Sequence, residues 1–464
     1  MKFPDSFRFG VATSSYQIEG AVDVDGRGKS IWDTFSATPG KVARGESGAV
    51  ANDHYHRYPE DLDLMEQIGV DSYRLSFAWP RLFPNGDEVK ESRGFDFYDR
   101  LIDATLEKGI EPFVTLYHWD LPQALQDKGG WVNRDMIDRL AFYAGSVAEH
   151  FKDRVKYFTP INEPWVVSWL GYGMGYHAPG IESFDSAIKA AHMTIASHNA
   201  ALKAIKAVHP EALVGPVLNQ SGADVDDIFD PQQMLAANIH DQTMNKFWMD
   251  GHFKGEYSKE IWDMYGKSLE EVYQPEDLEL VDNDWFGINY YFNQRVGHEV
   301  AKDDPNRVRV VDHFAGFASD GNSNGQVTEM GWQINPHGIG DLLVRWTREF
   351  GNKIPQMFIT ENGVAYDDGP GSDGKIHDLR RIEYLNDHLY SVLDAIGRGA
   401  DVGGYFQWSL MDNFEWAMGY EKRFGIVHVD FETLVRTPKE SAWFYKSVIE
   451  QRGENLTRKT AFLA

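Results

Sequence analysis

Two glutamates stand where a chain of this pattern would do chemistry. Glu361 ends the apolar run Met357-Phe358-Ile359-Thr360 and is followed by Asn362-Gly363, so it reads as a carboxylate at the mouth of a buried strand. Glu163 closes a similar run that begins at Val155, and Pro164 follows it. The carboxyl ends of parallel strands are where α/β proteins hold reacting groups. Two carboxylates facing each other there suit glycoside hydrolysis, one as nucleophile and one as acid and then base. At about 5 to 5.5 Å apart such a pair retains anomeric configuration, and at about 6.5 to 9.5 Å it admits a water and inverts it.

The elements that must position them alternate regularly. The spacing predicts strands over 9–15, 70–79, 110–119, 155–163, 212–219, 285–291, 357–363 and 403–410. Helical spacing falls between them, over 58–68, 95–108, 135–151, 186–208, 234–247, 338–350, 382–398 and 440–451. Residues 295–325 are polar and rich in Gly and Asn, which predicts an elaborated loop or hairpin. Pro160 inside the fourth strand predicts a bend near its end.

Eight βα units without a linker-like break predict one (β/α)8 TIM barrel with elaborated βα loops, a single domain over residues 1–464. The runner-up, an open doubly wound sheet, lacks the Gly-x-Gly-x-x-Gly that would follow its first strand. In a barrel the fourth and seventh strands lie across the mouth, so Glu163 and Glu361 can face each other.

The remaining strand ends supply Gln17, Arg74 with Trp79, His118 with Trp119, Asn162, Asn219, Asn289 with Tyr291, and Trp408. Amides and a histidine bond hydroxyls in pairs, and indoles stack on the apolar face of a sugar ring, so the set suits a neutral polyhydroxylated ligand. Each residue alone also has a structural reading: His118 satisfied within the core, Trp408 packed in it, Arg74 bridging acidic residues. Their joint placement at strand ends is what points to a site.

Composition excludes other classes. Against 71 Asp and Glu there are 45 Lys and Arg, a net charge of -26, and no basic run, so nucleic acid is not an expected partner. No cysteine is present, which removes disulfides, thiolate metal sites and a thiol nucleophile. The amino terminus has no secretory apolar core and no uncharged stretch is long enough to span a bilayer, so a cytoplasmic protein without membrane contacts is expected.

Five motifs together resemble glycoside hydrolase family 1, the β-glucosidases and their relatives. They are Tyr73 to Trp79 (YRLSFAW), Tyr117 to Pro122 (YHWDLP), Asn162-Glu163-Pro164, Ile359 to Gly363 (ITENG) and Trp408 to Trp416 (WSLMDNFEW). The resemblance runs from Phe7 to Tyr445. It departs at Pro160, where the family usually has Thr.

The resemblance implies Glu361 as nucleophile and Glu163 as acid/base, with Arg74, Tyr291 and Asn289 around the reaction centre. It implies a sugar pocket of Gln17, His118, Trp119, Asn162, Trp408, Glu415 and Trp416. Asn219 and Trp332 fall on the leaving-group side, and Phe424 stands where a phosphate-binding branch of the family has tyrosine. That branch has serine where Glu415 stands, although Lys422 is present, so an unphosphorylated β-glucoside or cello-oligosaccharide is the expected substrate. No metal or organic cofactor is implied. A 6-phospho-β-glucosidase, a catalytically silent sugar-binding relative and a transglycosylase are the alternatives, and self-association stays open.

Overall fold

The computed structural model describes residues 1–301, 304–311 and 327–458, with only the backbone of 298–301 and 304–311. Nine strands form one parallel sheet: β1 (Arg8–Ala12), β2 (Ser72–Ser76), β3 (Glu111–Tyr117), β4 (Tyr157–Ile161), β5 (Leu213–Val214), β6 (Val217–Asn219), β7 (Trp285–Asn289), β8 (Gln356–Asn362) and β9 (Val402–Trp408). Their hydrogen-bonded order is β5-β4-β3-β2-β1-β9-β8-β7-β6. Asn162 bridges Val217, and the Glu163 amide donates to the Val217 carbonyl at 3.0 Å. These contacts join the two edges, so β5 and β6 are halves of one stave in a closed eight-stave barrel.

The single strand expected over 212–219 is therefore broken, at Gly215-Pro216. Proline has no amide to give the ladder. Gly215 instead donates to Phe158 of β4, while the Pro216 carbonyl accepts from Gly287 of β7, at 3.1 and 2.9 Å. Pro160 is better tolerated: past it, the amides of Asn162 and Glu163 reach Tyr117 and Val217 on opposite sides, at 2.9 and 3.0 Å.

Helices His54–Ile68, Ser92–Glu107, Met136–Phe151, Phe184–Val208, Pro336–Phe350, Leu379–Gly397 and Glu440–Glu450 follow seven of the staves. After the fifth, Pro231–Asp241 continues through a π-helical turn at Gln242–Lys246 into Phe247–Phe253. Most of the predicted boundaries hold within a few residues because the apolar spacing is strict. In Ser92–Glu107, for example, Phe95, Tyr98, Leu101, Ile102 and Thr105 form the buried face.

The predicted hairpin is present in the backbone as antiparallel strands Gly297–Ala301 and Asp304–Val311. Residues 312–326 lie outside the described residues. Trp79 departs from expectation: it opens a helical turn and stacks on Tyr143 at 4.4 Å and 6°, within the core rather than at the mouth.

The barrel interior below the mouth is aromatic. Phe113 stacks on Tyr157 at 3.9 Å and 13°, with Phe358 and Phe406 against it at 5.7 and 4.9 Å. A Cβ on Gly10 would strike the Phe406 ring, so this floor needs glycine there. The packed floor holds the strand ends rigidly above it.

Candidate active site

The predicted strands overran at their carboxyl ends, and the overrun residues include several of the candidate site residues. β3 stops at Tyr117 and β4 at Ile161, so His118, Trp119, Asn162 and Glu163 lie just past the strand ends, where Asn162 and Glu163 keep backbone bonds to the neighbouring staves as the chain turns. Trp119, Glu163 and Trp416 take positive φ of 78°, 47° and 47°. Side chains other than glycine pay about 1–3 kcal/mol for such backbone. Three of these residues around one cavity mark a place where geometry is held against local preference.

That cavity is lined by both Glu163 and Glu361. The Arg74 guanidinium donates to Glu361 Oε1 at 2.6 Å, and the Tyr291 hydroxyl to Oε2 at 2.7 Å. Both partners of the ion pair are buried, and removing one partner of such a pair leaves an uncompensated charge costing about 3–5 kcal/mol. Among the described residues no cation is bonded to Glu163. Its Oε1 accepts from Asn289 Nδ2 at 2.8 Å, and Asn289 Oδ1 is fixed by the Thr360 hydroxyl at 2.6 Å.

These partners separate the two carboxyls. Burial pushes Glu163 well up, and the neighbouring Glu361 charge pushes it further. Burial also raises Glu361, but Arg74 and the Tyr291 hydroxyl pull it back. Both carboxyls are raised on balance, Glu163 further, so Glu361 is the one whose ionised form the site favours, an asymmetry suited to acid–base work.

A hydrogen bond to a charged group is worth about 1.5–3 kcal/mol. Tyr291→Phe deletes the bond that favours ionised Glu361, so that carboxyl should hold its proton to higher pH. The acid limb of a kcat/KM profile should then move up by about one to two units. An unmoved limb would show that Tyr291 does not bear on the ionisation of Glu361.

On the flank next to His118, Trp119, Trp408, Glu415 and Trp416 line the cavity. His118 stacks on Trp408 and Trp416 at 5.9 and 6.0 Å. Its Nε2 accepts from Asn162 Nδ2 at 3.1 Å, which leaves the proton on Nδ1, buried without a protein partner. Burial and the Arg74 charge hold this imidazole well below the usual range, hence neutral. Glu415 Oε2 is likewise buried and unpartnered, and burial, then Glu361, push its carboxyl up to about 8.

Asn219, Trp332 and Phe424 also line the cavity, with Trp332 stacked on Phe292 at 4.9 Å. Arg74, Asn162 and Asn289 stand behind it as a second layer, Asn162 Oδ1 accepting from both Arg74 and Asn289. Gln17 is not among the lining residues. Its amide donates to the Phe414 carbonyl at 2.8 Å and accepts from Ser14, so it braces the segment carrying Glu415.

Sequence reasoning missed several lining residues: Trp165, Val166, Leu170, His177, His240, Met244, Phe292, Gln294 and Met330. Trp165, Phe292 and Met330 could have been found, since each lies within two residues of a predicted site residue. The apolar ones read as core, and His177 sits in a loop with no periodic signal.

The model for glycosyl hydrolase family 1 matches residues 1–454. The chain belongs to glycosyl hydrolase family 1. Beta-glucosidase A of Acetivibrio thermocellus is 44% identical over 97% of this chain and 99% of its own length. A bifunctional β-D-glucosidase/β-D-fucosidase of Bifidobacterium breve is 40% identical over 97% and 98%. Among family 1 structures, the β-glucosidase of Thermotoga maritima in complex with glucoimidazole superposes with a TM-score of 0.91, at 41% identity over 97% of this chain and 99% of that one.

Proposed function

We propose that the protein is a retaining β-glucosidase that releases terminal glucosyl residues from small β-glucosides or cello-oligosaccharides. The observation that carries this reading is the asymmetric pair in one cavity: Glu361 bound by a guanidinium and a phenol at 2.6 and 2.7 Å, Glu163 by a neutral amide at 2.8 Å. Glu361 attacks the anomeric carbon while protonated Glu163 gives its proton to the departing oxygen. Esterification removes the negative charge of Glu361, so Glu163 ionises more readily and takes a proton from the attacking water. The names of the relatives, β-glucosidases and a glucosidase/fucosidase, support the same class.

Recognition follows from the valences left open. His118 Nδ1, Glu415 Oε2 and Asn219 Oδ1 are buried without protein partners, and sugar hydroxyls can satisfy all three. Among the described residues no lysine or arginine lines the cavity, and Lys422 is not one of the lining residues. A phosphate beside Glu415 would be buried without a cation to compensate it, which favours an unphosphorylated glycone.

A panel of nitrophenyl glycosides with the product anomer followed by NMR tests the reading. The β-glucoside should be hydrolysed with β-glucose appearing first, and its 6-phosphate should be refused. Initial release of α-glucose would replace retention by inversion, and preference for the phosphate would exchange the substrate class.

A further inference from the structure

The segment that presents Glu415 and Trp416 leaves β9 at Trp408 and returns at Phe424. Its neck is closed by hydrogen bonds from the Ser409 amide to the Phe424 carbonyl at 3.2 Å and from the Ile426 amide to the Ser409 carbonyl at 3.1 Å. Two close approaches fix this neck. A Cβ on Gly363, two residues past Glu361, would collide with the Trp408 carbonyl oxygen. A Cβ on Gly425 would collide with the backbone of Met411 and Asp412. The exit of the nucleophile strand, the exit of β9 and the returning chain therefore touch backbone to backbone.

An ion network is buried behind that junction. Lys439 Nζ donates to Asp412 Oδ1 and Asp368 Oδ1 at 2.9 and 2.8 Å. Arg381 donates to Asp368 at 2.6 Å, to Asp378 at 2.9 Å, and to the carbonyls of Val364, Arg423 and Phe424. Asp412 in turn accepts from the Gly425 amide at 3.0 Å and from Arg423 at 2.9 Å. Three cations thus meet three carboxylates, with Lys439 and Arg381 fully buried.

Buried ion networks add little net stability, because desolvation offsets the attraction. This one bonds several backbone groups at once. Here those backbones are the continuation of Glu361 on one side and both ends of the Glu415 segment on the other.

We propose that Lys439 and Arg381 are positioning residues that clamp the neck of the Trp408 to Phe424 segment and so set the sugar-recognising wall against the nucleophile. Neither touches the cavity; both act through Asp412, Asp368 and the carbonyls of Val364 and Phe424. The proposal rests on the glucosidase reading and adds a determinant of sugar discrimination to it.

The discriminating measurement is the ratio of kcat/KM for nitrophenyl β-glucoside to that for nitrophenyl β-galactoside. Because both values scale with the concentration of active enzyme, a variant that merely folds less well leaves the ratio unchanged. Lys439→Met should lower the ratio by about ten-fold or more, while Lys439→Arg, which keeps the cation, should hold it within about three-fold of the parent. A ratio that stays within about two-fold in Lys439→Met, even with a lowered Tm, would overturn the proposal. Should Lys439→Met not fold, Arg423→Met removes the more accessible cation on Asp412 and is read by the same two outcomes. Failure of the parent enzyme to hydrolyse any glucoside would instead refute the glucosidase reading.

Discussion

Replacement of Glu361 by alanine should lower kcat for an aryl β-glucoside by at least about 10⁴-fold, the scale seen when the nucleophile of a covalent mechanism is removed. Substrate binding should survive, since the indoles and His118 that line the cavity are untouched. The variant should therefore bind glucose-like inhibitors near the parental affinity while failing to turn over. Two controls separate this from damage to the fold. Arg74 loses its partner in the variant, so some loss of Tm is expected, and Glu361→Gln should restore part of it without restoring rate. Turnover within about ten-fold of the parent would remove Glu361 from the reaction.

Glu163→Ala should split substrates by their leaving groups. General acid catalysis is worth about 10²–10⁴-fold, and it matters most where the departing oxygen is a poor leaving group. Cellobiose and alkyl glucosides should lose that full factor at the first step, whereas a dinitrophenyl glucoside, whose phenolate leaves unaided, should lose far less. The second step lacks its base for either substrate. Single-turnover measurements on the two classes test this, and equal losses at the first step would argue against proton donation by Glu163. The alkaline limb of the parent kcat/KM profile should belong to Glu163, because burial and Glu361 raise its carboxyl well above the usual range. In the variant that limb should disappear for activated substrates.

The barrel and its carboxylate pair were legible because each rests on a local signal. Apolar runs such as Met357 to Ile359 can be only strands in an alternating pattern, and a glutamate at the end of such a run is conspicuous. What escaped was set by long-range contacts. Pro216 splits the fifth stave, yet the chain around it reads as one strand, because the partners that accommodate the break, Phe158 and Gly287, lie far away in sequence. Trp79 ends a strand-like run and looks like a sugar platform, but its position opposite Tyr143 makes it core.

Gln17 illustrates a second limit. The resemblance marks it for the sugar pocket, and its hydrogen bonds to Phe414 and Asn413 also tie it to the segment that carries Glu415, a contact that no local signal announces. The left-handed turns at Trp119, Glu163 and Trp416 were equally hidden, since none is glycine, asparagine or aspartate. Such residues reveal themselves only when the surrounding packing is known.

A covalent glycosyl-enzyme on Glu361 is the central claim, and Glu163→Ala offers the means to catch it. With a dinitrophenyl β-glucoside the first step needs no acid, while the second lacks its base, so the ester should accumulate after a burst of one dinitrophenolate per enzyme. Acid quenching, proteolysis and mass spectrometry should then find one hexosyl group on the peptide containing Glu361. Absence of any covalent adduct despite the burst, or a hexosyl group on a different residue, would contradict the account.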